Sequence, residues 1–181
     1  MKGKSLGFTA VILLLAAGMN AAQDSAPVAN PVSTTIKLIE ARFAKNLIGA
    51  AESMPADKYG YKPTPEMNSF GHVVMHVAQS NNLLCSKASG IAAPETKVSD
   101  TDSKDALVSA LKVSFDFCST ALAATDDSKL GEQVQLFGGK NSPKAAALIA
   151  LSSGWNDHYS ALAIYLRLNG ILPPSAQPAK Q

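Results

Sequence analysis

The stretch "SKDALVSALKVSFDFCSTALAA", residues 103–124, decides the fold class. Leu107, Leu111, Ser114, Cys118 and Ala121 recur in it at intervals of four, three, four and three. That spacing keeps one stripe of a helix turned to a partner, and it is the seam of helices packed lengthwise. Asp102 or Ser103 marks the start, offering a side-chain oxygen to the free amides of the first turn.

Outward from this seam the same period returns three times. Residues 32–53 place Ile36, Ile39, Phe43, Leu47 and Ala50 on one stripe, with Asn46 among them, and Pro55 closes the helix. A second helix is expected from about Pro65 to Ser89, capped by Thr64 and ended by Gly90. Its apolar side is wide: Val73, Val77, Ser80 and Leu84, flanked by Val74, Ala78, Asn81 and Cys85. The last helix begins at Ser142-Pro143 and carries Ala147, Leu151, Gly154, His158, Leu162 and Tyr165 inward, until Gly170 and Pro173-Pro174 stop it. Helices of about 22–28 residues run roughly 33–42 Å at 1.5 Å per residue, and they hide such stripes only against one another. The expected fold is therefore all-α, a four-helix bundle. Long connections at residues 54–64, 90–102 and 125–141 permit crossovers. β-branched residues nowhere alternate over five or six positions. The nearest candidate strand, VQLF at 134–137, is read as loop.

The chain opens "MKGKSLGFTAVILLLAAGMNAA", with Lys2 and Lys4 before an apolar run and small residues after it. This is the layout of a secretory signal peptide, too short for a comfortable membrane span. Residues 1–22 are expected to be removed, residues 23–31 to form a flexible lead-in, and residues 32–172 to form one bundle domain. The tail, residues 173–181, is expected to be disordered. No later apolar stretch is both long and free of charge, so the mature chain is expected to be exported, periplasmic or secreted, and not membrane-bound. It carries 14 basic and 14 acidic residues once Lys2 and Lys4 are gone. With no basic cluster either, it lacks the electrostatic footprint of a nucleic-acid binder.

Cys85 and Cys118 fall on core stripes of the second and third helices. In an oxidising compartment they can form a disulfide, and the alternative is two separate buried thiols. There is no CxxCH for haem, no glycine-rich phosphate loop for a nucleotide, no GxSxG nucleophile elbow and no Glu-x-x-His di-iron motif.

The three histidines are His72, His76 and His158. His72 and His76 share a helix face one turn apart. A His-x3-His pair completed by a third ligand from the last helix would give a metal centre with open positions. The alternative is a partly exposed pair and one core histidine bonded to a neighbour such as Asn46. Asp157 points about 100° around the helix from His158 and is a poor further ligand. Trp155, Tyr159 and Tyr165 read as packing residues, and Asn46, Gly154 and Trp155 are the expected lining of a pocket beside the histidines.

Residues 46–86, "NLIGAAESMPADKYGYKPTPEMNSFGHVVMHVAQSNNLLCS", and residues 157–174, "DHYSALAIYLRLNGILPP", resemble the DinB/YfiT-like four-helix bundle proteins. The similarity is to an exported branch with one cysteine late in helix two and another in helix three. It implies an up-down-down-up bundle, a homodimer, and a divalent metal such as zinc or nickel held by three histidines. His76 and His158 match two of those ligand positions. The third falls at residue 154, which is glycine, leaving His72 as the candidate replacement. Some relatives are metal-dependent thiol transferases. The function expected is thus an exported bundle that binds a divalent metal or small ligand without catalysis. The alternatives are a metal-dependent transferase or hydrolase, and a structural or interaction bundle whose site has decayed.

Overall fold

The computed structural model describes residues 27–178, so the expected signal peptide and residues 23–26 of the lead-in lie outside the described residues. Four helices dominate: α1 (Pro31–Ser53), α2 (Phe70–Ser89), α3 (Lys104–Ala123) and α4 (Lys144–Leu168). Ser103 caps α3 as expected, its hydroxyl accepting from the Ala106 amide. The start of α2 lies five residues later than the expected Pro65. Residues 64–67 instead form a turn closed by the Met67 amide on the Thr64 carbonyl. The true cap is Ser69, whose hydroxyl accepts from the His72 amide, while the Phe70 and Gly71 amides donate to the Tyr61 and Tyr59 carbonyls. A Cβ on Gly71 would stand 3.1 Å from the Asp100 carbonyl oxygen and 3.3 Å from that of Tyr59, so glycine eases the close approach of three segments there.

The segment read as loop contains a small hairpin, β1 (Gln133–Gln135) antiparallel to β2 (Asn141–Pro143), with Val134 opposite Ser142. Three-residue strands are too short to display an alternation. The signal for the turn is Gly138-Gly139, both at positive φ (65° and 72°).

Helix packing gives the connectivity. α1 packs on α3 and α4, and α2 packs on the same two, so α1 and α2 stand diagonally. Cys85 lies beside Cys118 and Asn81 beside Ser114, both pairs 33 residues apart, so α2 and α3 run parallel. Trp155 meets Asn81 while Tyr165 meets Asn68, so α4 runs antiparallel to α2. The order is up-down-down-up. Between α2 and α3 the chain returns along the outside of α2, tied down by Asn82 to Thr96, Gln79 to the Val98 carbonyl and His72 to Asp100.

The core runs through all four helices, with Leu47, Phe70, Leu111, Trp155 and Leu162 among its buried side chains. α3 is long and apolar enough to cross a membrane by composition, but half of it is buried against the other helices. Within the described residues the first part of the tail, 173–177, is ordered against the expectation: Pro173 is buried and Tyr159 exchanges two hydrogen bonds with Ser175. Two prolines restrict this segment and Gly49 leaves room for Pro174, so ordering it costs little entropy.

Neither end of α1 has a cap of its own. Asp127, from the α3–β1 connection, accepts from the Val32 and Ser33 amides at 2.6 and 3.0 Å. Lys104, the first residue of α3, donates to the Glu52 and Met54 carbonyls at the other end. Each charge has the sign the helix dipole favours there. Asp127→Ala is expected to cost about 1–2 kcal/mol, the usual worth of an N-cap, and Asp127→Asn less. Urea midpoints measure it, and an unchanged midpoint for the alanine variant rules the capping role out.

Candidate functional site

The face between α2 and α4 lies across the bundle from α1. Of the positions expected inward on α4, Ala147, Leu151, Leu162 and Tyr165 are buried, while in mid-helix Trp155 and Tyr159 take the places expected of Gly154 and His158. The large aromatic side chains take the centre, and Gly154 and His158 are left half-buried on the flank toward α2. On α2, Val73, Val77, Asn81 and Leu84 are buried, whereas His76 stands at the exposed rim and not on the inward stripe.

A cleft of about 270 Å³ opens between these flanks. Trp155 and Asn81 form its inner part: the indole Nε1 donates to Asn81 Oδ1 at 2.7 Å, and the Asn81 amide donates to Ser114 Oγ at 3.0 Å. One polar residue thereby links α2, α3 and α4, and its buried groups are paired as burial requires. Phe137, at the hairpin tip, lines the outer edge. Asn46 has no part in this. It is half-buried on α1, about 90° from that helix's inward direction, and α1 does not border the cleft. Of the expected lining residues, Gly154 and Trp155 are present and Asn46 is not.

His76 and His158 meet at the mouth, ring centroids 4.9 Å apart and nearly perpendicular. His72 is stacked on His76 at 6.4 Å, and its Nδ1 is 3.2 Å from Asp100 Oδ2. The three histidines therefore form a row along one edge of the cleft, bordering a second hollow with Asn68 and Val73. A row is not a chelate. Among the described residues no three His, Cys, Asp or Glu side chains converge as a metal-holding group. Two imidazoles are in place, and the position that could complete them is Gly154, where an added Cβ would meet only the His158 ring at 3.9 Å. The residues present do not fit a three-ligand centre.

Burial pushes the His158 imidazole below its ordinary pKa, as does the neighbouring His76, against a smaller opposing pull from Asp157. Burial also lowers His76, with His72 adding to it. Both rings are therefore neutral at pH 7, each with one donor and one acceptor nitrogen. Ser80 Oγ lies 3.3 Å from His76 Nε2. That is loose spacing for a nucleophile and its base, but no carboxylate orients the His76 ring among the described residues, so the contact serves to fix the ring.

The unfolded chain binds more protons at these two histidines than the folded one. Their contribution is therefore stabilising above about pH 6.5 and is lost as pH falls below it. His76→Gln with His158→Gln is expected to reduce the loss of stability between pH 7 and 5 relative to the native chain. Chemical denaturation at several pH values reads this, and an identical slope in both proteins refutes it.

Sequence reasoning missed Phe137 and the role of Asn81. Only the paired glycines beside Phe137 could have flagged it. Asn81 was legible as a polar residue on an apolar flank.

Comparison with known proteins places this geometry. The sequence profile of the DinB superfamily matches residues 41–152. The fold is similar to the crystal structure of a DinB-like protein from Bacillus cereus, at 15% identity and a TM-score of 0.65, covering 78% of this chain and 95% of that one. It is also similar to a DinB-like protein, YjoA, from Bacillus subtilis, at 22% identity and a TM-score of 0.63, covering 81% of this chain and 99% of that one. No curated protein sequence matches the chain.

Proposed function

The chain belongs to the DinB superfamily, and from that premise we propose that it is an exported binding protein which takes a small ligand in the α2–α4 cleft. The observation that carries this reading is the pair of imidazoles, His76 and His158, meeting at 4.9 Å over an otherwise largely apolar cleft. They supply hydrogen-bonding groups that orient a ligand, in the manner of small-molecule sites generally. Binding rather than catalysis is the reading, since among the described residues Ser80 and His76 lie at 3.3 Å with no carboxylate to orient the ring. Export is supported by the basic-apolar-small pattern of residues 1–22 and by the cysteine pair at disulfide distance. A homodimer is part of the proposal, and Ile149, Ile164 and Leu168 are exposed along α4 as apolar surface that pairing would cover.

A second reading rests on the contact of His76 and His158 alone: a divalent ion such as zinc or nickel held by these two imidazoles, which His72 could join only by leaving Asp100. Metal analysis of the mature, tag-free protein separates the two, alongside His76→Ala and His158→Ala. Stoichiometric metal lost in both variants establishes the ion. Protein that stays metal-free after incubation with zinc and nickel, yet remains folded, removes it and leaves the small-ligand reading.

A further inference from the structure

The walls of the cleft define the chemistry of its occupant, and this inference rests on the reading of the cleft as a ligand site. Val77, Leu84, Ala150 and Leu151 give it apolar sides, and among the described residues no Lys, Arg, Asp or Glu lines it. Its polar groups are serine hydroxyls, the Asn81 amide and the two imidazoles. The carboxylates paired with the histidines, Asp157 and Asp100, are largely or partly exposed to water. An ion entering such a cleft loses hydration and meets no opposite charge, which is strongly unfavourable. A neutral, largely apolar molecule gains by the transfer.

Phe137 narrows the class further. It is 59% exposed and belongs neither to the core nor to the partly buried shell packed against it. It therefore contributes little to folding, yet its ring borders the cleft from a turn held by two left-handed glycines. Trp155 presents a second aromatic system inside. An exposed aromatic ring at the rim, with Trp155 in the wall at 2% exposure, favours a planar aromatic guest, which meets such rings by stacking or edge contact. Gly154 leaves the wall of α4 bare between them.

We propose that the α2–α4 cleft binds an uncharged aromatic molecule with one hydrogen-bonding group, its rings between Phe137 and Trp155 and that group at His76 and His158. Trp155 is the only tryptophan in the chain, so its emission reports the cleft directly. The test titrates the oxidised mature protein with N-phenyl-1-naphthylamine, which is neutral, and with 8-anilinonaphthalene-1-sulfonate, a similar ring system bearing a sulfonate. Energy transfer from Trp155 is the signal. The neutral probe is expected to saturate it, with the sulfonate binding at least tenfold more weakly. Gly154→Leu, whose Cβ meets only the His158 ring at 3.9 Å, adds bulk to the cleft wall and is expected to abolish saturation, and Phe137→Ala to weaken binding at least fivefold. Equal binding of the two probes, both lost in Gly154→Leu, overturns the neutral-ligand inference and leaves the cleft as a site. Binding of the neutral probe that survives Gly154→Leu in a folded protein, or no saturation at all in the native chain, overturns both.

Discussion

Reduction of the Cys85–Cys118 pair is expected to lower the stability of the full chain by about 3–4 kcal/mol, the chain-entropy value for a closed loop of this length. The two residues are fully buried, 33 positions apart, with Cα atoms at 5.3 Å, inside the usual span for a disulfide. Their folded surroundings barely change on reduction, because an unpaired cysteine is tolerated in a core. The effect therefore falls on the unfolded chain, which regains the freedom of the loop. Urea denaturation with and without reductant measures it, and the m-value should rise on reduction as the unfolded chain expands. A thiol count on denatured, unreduced protein should find none free. Two free thiols, or coincident midpoints, would overturn the assignment.

Glu40→Gln is expected to act in the opposite direction. Glu40 lies on α1 with 4% of its surface exposed. Burial raises its carboxyl from the usual 4.5 to about 7, with Lys37 pulling it down and Asp116 pushing it up. A pKa raised on folding means that the favourable contribution is complete below about pH 4.5 and is lost as pH rises through about 7. At pH 8 the ionised group costs on the order of 2–3 kcal/mol, which the amide removes. For a chain of this size that is a gain of roughly 4–10 °C in melting temperature. Calorimetry at pH 8 and pH 5 checks it: the gain should be large at the first and small at the second. Equal gains at both would show that ionisation is not the cause.

Glu40 also shows where the sequence stops being informative. The stripe Ile36, Ile39, Phe43, Leu47 is correct as a helix pattern, but Ile39 is half-buried and Glu40 takes the inward place. Periodicity places a stripe to within about one position. The rotation within that width depends on partners far along the chain. On α4 the same ambiguity put His158 at the centre, when Trp155 and Tyr159 fill it. The helices, their number and the two cysteines were legible because they depend on residues close in sequence or on chemistry of one residue type. The caps of α1, the hairpin and the diagonal that separates Asn46 from the cleft were not. Each depends on a segment some fifty or more residues away, or on strands of three residues.

The return of residues 90–103 along α2 has a kinetic consequence. In a bundle of simple hairpins, neighbouring helices meet through residues close in sequence, and such low contact order goes with folding in microseconds to milliseconds. Here α2 and α3 lie side by side in parallel, so every contact between them joins residues about 33 apart, and a loop must close before any of them forms. The loop entropy grows only with the logarithm of its length, but it is incurred before the first contact offsets it. The helices can form quickly and alone, but their docking waits on closing such loops, and longer ones still for α1, whose bonds to α3 and its flank join residues 50 to 95 apart.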